Sequence, residues 1–269
     1  MLKGIVREDG TLQDTASVLG EAAVFGHVDG YPLPILAQML NVRPPIGPSA
    51  SQIASITWRR IVLERILDYY AHPRALTAML RGTLIHKGLQ GTAFPSHVKV
   101  VTERRLRSTL LHRKDITISG QIDVYYPAHH RLEDYKTCGT IPSVISDEHL
   151  VQLAVYYWLL CWAGYTVDSV AIDYIAWDDM RQVSHAVMPD KSIQKAVAHP
   201  YFQDVEAFEK LIIEGWEVLN SGFIDYVVPG MDSCNNNWCR YCPLKWACDR
   251  IAVEGAVITP ADFVQEDYR

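Results

Sequence analysis

The chain has 269 residues, 49% of them hydrophobic and 21% charged, with a formal charge of −6. That is an ordinary globular composition with ample core material, enough for one large domain or a domain with appendages. The acidic balance argues against binding through one broad electropositive surface, but it leaves room for local basic strips that hold phosphates.

The opening Met1-Leu2-Lys3-Gly4-Ile5-Val6-Arg7 meets charge before an apolar run forms, so no signal peptide is expected. The longest apolar stretch, 150–163, is interrupted by Gln152 and is shorter than the ~20 residues a bilayer span needs. A soluble, cytoplasmic protein is expected. Residues 1–48 carry Gly, Pro and Asp punctuation, one helix over 33–40 and a Pro-rich linker over 42–48. They are expected to form an extension to a core domain spanning 49–269.

Ser49-Ala50-Ser51-Gln52 opens a helix expected to run over 53–70 with Arg59, Arg60 and Arg65 on it, either phosphate contacts or a solvated face. A second helix over 75–90 carries His86. Strands are expected over 97–107 and 115–126; Glu103 either enlarges a carboxylate cluster or, as expected, is an exposed strand residue, and Gly120 leaves one position open to close approach.

The pattern of Gly120-Gln121-Ile122-Asp123-Val124-Tyr125-Tyr126, a turn at 127–130, and Leu132-Glu133-Asp134-Tyr135-Lys136-Thr137 predicts a hairpin. Asp134 and Lys136, two apart, share a face, and the hairpin can bring Asp123 beside them. Two carboxylates there suit a hard divalent cation, and a lysine can orient a water against it, which is the chemistry of phosphodiester hydrolysis. An exposed hairpin with a weak ion pair is the alternative.

Ser146-Asp147-Glu148-His149 then opens a helix to about 163, apolar nearly all round and therefore buried. Gln152 and Tyr156, four apart, share one of its faces. A second hairpin over 167–177 and 182–188 turns at Asp178-Asp179-Met180 and extends the sheet, and 201–220 is an amphipathic helix.

The order Gly82-Thr83-Leu84-Ile85-His86, Gly120-Gln121-Ile122-Asp123, Asp134-Tyr135-Lys136-Thr137, then Gln152 and Tyr156 resembles the PD-(D/E)xK nuclease superfamily, specifically its RecB-like branch of exonucleases and CRISPR-associated adaptation nucleases. The resemblance covers residues 49 to 250. It implies an α/β, restriction-endonuclease-like core with a mixed sheet flanked by helices, and a metal-dependent DNA nuclease. Asp123 and Asp134 would bind Mg²⁺ or Mn²⁺, with the Tyr135 carbonyl a further candidate ligand and His86 assisting. Lys136 would position the attacking water, and Gln152 and Tyr156 would support the site.

Cys234-x4-Cys239-x2-Cys242-x5-Cys248 packs four thiolates into 15 residues, which points to a metal centre rather than a disulfide framework. Spacing alone leaves a 4Fe–4S cluster and tetrahedral zinc both open. The resemblance favours the cluster. In that family one ligand comes from the N-terminal half, where this chain offers Ser55, Thr57 and Trp58, so Cys234 is the local substitute. Cys138 and Cys161 read as ordinary loop and core residues. The expected function is a DNA exonuclease acting at ends or on single strands, as a monomer, a homo-oligomer, or with a recombination or CRISPR protein partner. The alternatives are a non-catalytic DNA-binding subunit of the same fold and an iron–sulfur redox sensor.

Overall fold

A computed structural model describes residues 1–41, 48–54, 63–64, 67–92, 94–95, 99–176, 180, 182–188, 199–221 and 242–254. The chain divides into two compact units, one of residues 1–44, 57–83 and 217–269, the other of residues 45–56 and 84–216. Among the described residues no helix is long and apolar enough to cross a membrane.

The first unit is built on a three-stranded sheet in the order β2-β1-β5, from β1 (Leu2–Val6), β2 (Leu12–Asp14) and β5 (Tyr69–Ala71). Helix α1 (Thr15–Phe25) starts at Asp14, whose carboxylate accepts from the Ser17 amide at 3.0 Å, and stops at Gly26 in the left-handed conformation, φ 84. A short hairpin, β3 (His27–Val28) and β4 (Tyr31–Pro32), leads into α2 (Leu33–Leu40). Ile5, Val18, Ala22, Val28, Leu36 and Leu40 form the core between them. The segment expected as an extension is therefore one wing of a sheet, because β1 pairs in parallel with β5 some 65 residues later. The expected helix over 53–70 is corrected at its end: Tyr69 and Tyr70 lie in β5. Arg59, Arg60, Arg65 and the linker over 42–47 lie outside the described residues.

The second unit holds a five-stranded mixed sheet in the order β10-β9-β8-β7-β6. Its strands are β6 (Val101–Thr109), β7 (Thr117–Tyr126), β8 (Arg131–Cys138), β9 (Ser169–Ala176) and β10 (Gln182–Ala186). Neighbours run antiparallel except β8 and β9, which are parallel and joined through helix α5 (Asp147–Trp162). A parallel pair needs such a crossover, and α5 supplies it. Its start is fixed by Ser146, which accepts from the His149 amide, with Asp147 and Glu148 complementing the positive helix end. Both hairpins thus form as the sequence predicts. Helix α3 (Ala50–Ala54) packs on α5 and β7. Helix α4 (Pro73–Gln90) carries His86, and α6 (Val205–Ser221) buries Phe208 and Ile212; α7 (Lys245–Glu254) belongs to the first unit.

Candidate metal centre

Strands β7 and β8 pair at Val124↔Glu133, Tyr125↔Leu132 and Tyr126↔Arg131, and then part. Where they part, the Asp123 carboxylate takes over as acceptor: its Oδ2 receives the Tyr135 amide at 2.7 Å. That bond stands in for a lost ladder contact and fixes the carboxylate. The other oxygen, Oδ1, lies 3.0 Å from His86 Nδ1, and Glu103 Oε1 lies 3.5 Å from the same nitrogen. Ligand atoms of His86, Glu103 and Asp123 all fall within 4.8 Å of one another.

Glu103 enters this group through its backbone. Thr102↔Val124 and Arg104↔Ile122 flank it in the β6–β7 register, so it stands across from Asp123, yet its φ is 51. A left-handed glutamate within a strand costs on the order of 1–3 kcal/mol and persists only where its surroundings enforce it. Here Gln121 Nε2 donates to Glu103 Oε2 at 2.5 Å. The side chain is only 10% exposed, which corrects the reading of an exposed strand residue. Two facing carboxylates raise the His86 pKa to about 10, mainly through its hydrogen bonds to Asp123 and then Glu103. An imidazolium thus supplies the positive charge between them.

Asp134 and Lys136 share a face of β8, as their spacing predicts, and Lys136 Nζ lies 2.6 Å from Asp134 Oδ2. Asp134 is buried, 1% exposed, and its Oδ1 has no hydrogen-bond partner among the described residues. Burial pushes its pKa up to about 6, the Lys136 charge pulls it back, and the Asp123 charge pushes it up again. Asp134 stands outside the group of three whose donor atoms converge, and it meets that group through charge. Tyr135 contributes its amide, and its side chain points to the opposite face.

Helix α5 covers the site. Gln152 Nε2 donates to the Tyr156 hydroxyl at 2.8 Å, so the expected pair forms. Tyr156 is buried, and desolvation with the charges of Asp134, Asp123 and Glu103 holds its hydroxyl protonated. A Cβ at position 120 would come within 2.7 Å of the Tyr156 ring, so Gly120 admits a tyrosine.

Three further groups escaped the sequence reading. His149 lies one turn before Gln152 on α5, with Nδ1 2.7 Å from the Tyr174 hydroxyl. Tyr174 is the register partner of Lys136, and burial, together with the Lys136 charge, lowers the His149 pKa to about 4. Its imidazole is therefore neutral and does not compete for Asp134. The spacing 149, 152, 156 was the available signal. On the opposite face, buried Glu133 and Asp173 lie together, with Arg131 Nε 2.5 Å from Glu133 Oε1 and Ser184 on Asp173. Burial, with the Asp173 charge, raises the Glu133 pKa to about 7.

Of the four clustered cysteines, Cys234 and Cys239 lie outside the described residues. Cys242 accepts through its carbonyl from the Lys245 amide at 3.2 Å, and Cys248 sits one turn into α7.

The profile of the PD-(D/E)XK nuclease superfamily matches residues 50–249. The crystal structure of SSO0001 shares the fold at 15% sequence identity and a TM-score of 0.51, covering 86% of this chain and 93% of that one. A phage related exonuclease from Haemophilus somnus 129PT overlaps with a TM-score of 0.38 and 13% identity, covering 65% and 96%. No curated protein sequence matches.

Proposed function

The chain belongs to the PD-(D/E)XK nuclease superfamily, and from that premise we propose that it is a RecB-like deoxyribonuclease that hydrolyses phosphodiester bonds with Mg²⁺ or Mn²⁺, removing nucleotides from DNA ends or single strands. The observation that carries the reading is buried Asp134, paired with half-buried Lys136, beside the converging His86, Glu103 and Asp123. A carboxylate buried with an oxygen unpartnered among the described residues is costly unless a ligand completes it.

The donor set fits a hard divalent cation. It offers two carboxylates, an imidazole, and a buried third carboxylate whose Oδ1 is unpartnered among the described residues. Asp123 and Asp134 would hold the ion with Glu103 and His86, and the Tyr135 carbonyl is a further candidate. The nitrogen ligand favours tolerance of Mn²⁺. A bound cation would supply Lewis-acid polarisation of the phosphodiester.

The chain's own groups do the rest. Asp134 holds the Lys136 ammonium in place, and that ammonium directs a water at the phosphorus and stabilises charge as it develops on the phosphate oxygens. The Tyr135 amide keeps Asp123 from rotating. Gln152 orients the Tyr156 hydroxyl toward the carboxylates, where a protonated phenol is a donor to substrate. Neutral His149 leaves the Lys136 charge undivided.

Cys234, Cys239, Cys242 and Cys248 are read as ligands of one structural centre, a 4Fe–4S cluster ahead of zinc. Their spacing supports one metal centre, and the resemblance to RecB-like nucleases puts the cluster ahead of zinc.

End-labelled single- and double-stranded DNA with Mg²⁺ or Mn²⁺ tests the proposal. Wild type is expected to shorten the label, and Lys136→Ala and Asp123→Ala to lose at least about a hundredfold in rate with unchanged circular dichroism. Unaltered turnover by purified Lys136→Ala would overturn the assignment.

A further inference from the structure

Strand β6 is an edge of the five-stranded sheet, and with β7 it forms a ribbon leading away from Glu103. Beyond Glu103 the rungs Arg105↔Gln121, Arg107↔Ser119 and Thr109↔Thr117 share one side of the ribbon, because side chains alternate along a strand. Gln121, at the near end of that row, donates to Glu103, which brings the row up to the metal ligand. All six are hydrogen-bond donors of the kinds that bind nucleic-acid backbones, and none is acidic or apolar. Arg105, Arg107, Thr109, Thr117 and Gln121 are exposed, and Ser119 is half-buried.

The two arginines differ from the third on the strand. Arg104, on the other side, donates to the Tyr165 hydroxyl and stacks 5.3 Å over its ring. Arg105 and Arg107 have no ion-pair partner among the described residues. That is unusual company for a chain with six more acidic than basic groups. An edge strand also needs polar, charged side chains against pairing with another sheet, and charge alone would satisfy that. It would not require hydrogen-bonding side chains free of acidic and apolar residues on three successive rungs, two of the rungs carrying an arginine without an ion-pair partner among the described residues. The two arginines stand ~6.8 Å apart along the strand, two residues at ~3.4 Å each, close to the separation of successive phosphates in an extended strand.

We propose that this face of the β6–β7 ribbon is a phosphate track that holds the backbone of a DNA strand leading to the metal centre, with Arg105 and Arg107 each on one phosphate. The proposal rests on the nuclease reading and adds where the substrate lies. Such contacts carry no base information, so the grip is independent of sequence.

The test is binding of a fluorescent 20-nucleotide single strand and the matching duplex, by anisotropy, without divalent ions and across 50–300 mM salt. Comparison is between wild type, Arg105→Ala/Arg107→Ala and Arg105→Lys/Arg107→Lys, with circular dichroism melting as the control for folding. For the single strand, the slope of log affinity against log salt is expected to fall by about 1.4 in the alanine variant, since each phosphate contact contributes ~0.7. The lysine variant is expected to keep the wild-type slope. A folded alanine variant with the wild-type slope on both probes overturns the track, even if the protein cleaves DNA. A reduced slope upholds the track even if no cleavage is found. A reduction on the duplex alone overturns the assignment to one strand.

Discussion

Replacing Gly120 with alanine tests whether Tyr156 belongs to the reacting end of the sheet. The backbone there is not left-handed, so alanine fits it, and the lost freedom of the unfolded chain would by itself stabilise by about 0.4–1 kcal/mol. Against that, the new Cβ would meet the Tyr156 Cε1 at 2.7 Å, Cδ1 at 2.8 Å and Leu159 Cδ1 at 3.0 Å. Tyr156 and Leu159 are both buried in a packed helix, so neither retreats freely. Overpacking of this kind costs about 1–3 kcal/mol, leaving a net loss of up to roughly 2.6 kcal/mol. The ring must withdraw by roughly 0.7 Å, which carries its hydroxyl away from Gln152 and the carboxylates; misplacement on that scale is worth roughly 10–100-fold in rate. Urea unfolding of Gly120→Ala, Tyr156→Ala and the double variant would measure the coupling, expected at about 1 kcal/mol or more in favour of the double. Cleavage of end-labelled DNA reads the second effect. Additive stabilities, or a Gly120→Ala enzyme of wild-type rate, would refute the argument.

The His86 imidazole must lose its proton to bind a cation, and its pKa is raised to about 10. Mn²⁺ affinity is therefore expected to climb with pH, approaching tenfold per unit between about 7 and 9. Calorimetry in buffers of different ionisation enthalpy should show about one proton released per ion by wild type, and nearly none by His86→Gln. No release by wild type would contradict the ligand assignment. Without the cation the same shift works on stability: the contribution is full below the unfolded pKa of 6.5 and fades as pH rises through about 10. The cysteine centre is checked by colour. Protein purified anaerobically should be brown, absorbing broadly at roughly 400 nm, and Cys239→Ala should bleach it; a colourless, zinc-loaded protein would replace the cluster with zinc.

How much could be read from the chain depends on how local each signal is. The β7–β8 hairpin, the two-residue spacing of Asp134 and Lys136, and the four-residue spacing of Gln152 and Tyr156 follow from the periods of strand and helix alone. So does the buried helix between β8 and β9. Two other features were not local. Glu103 looks like any strand glutamate until the β6–β7 register sets it across from Asp123 and its backbone turns left-handed. The first 41 residues look like an appendage until β1 finds β5.

By itself, then, the sequence determined the strand or helix face that Asp134 and Lys136, and Gln152 and Tyr156, share, because alternation and helical pitch are properties of a few consecutive residues. Only the tertiary structure decided that the converging donors are His86, Glu103 and Asp123, with Asp134 bound instead to Lys136. Convergence depends on where strands part and which chains lie opposite, and those are set by pairings between residues far apart in sequence.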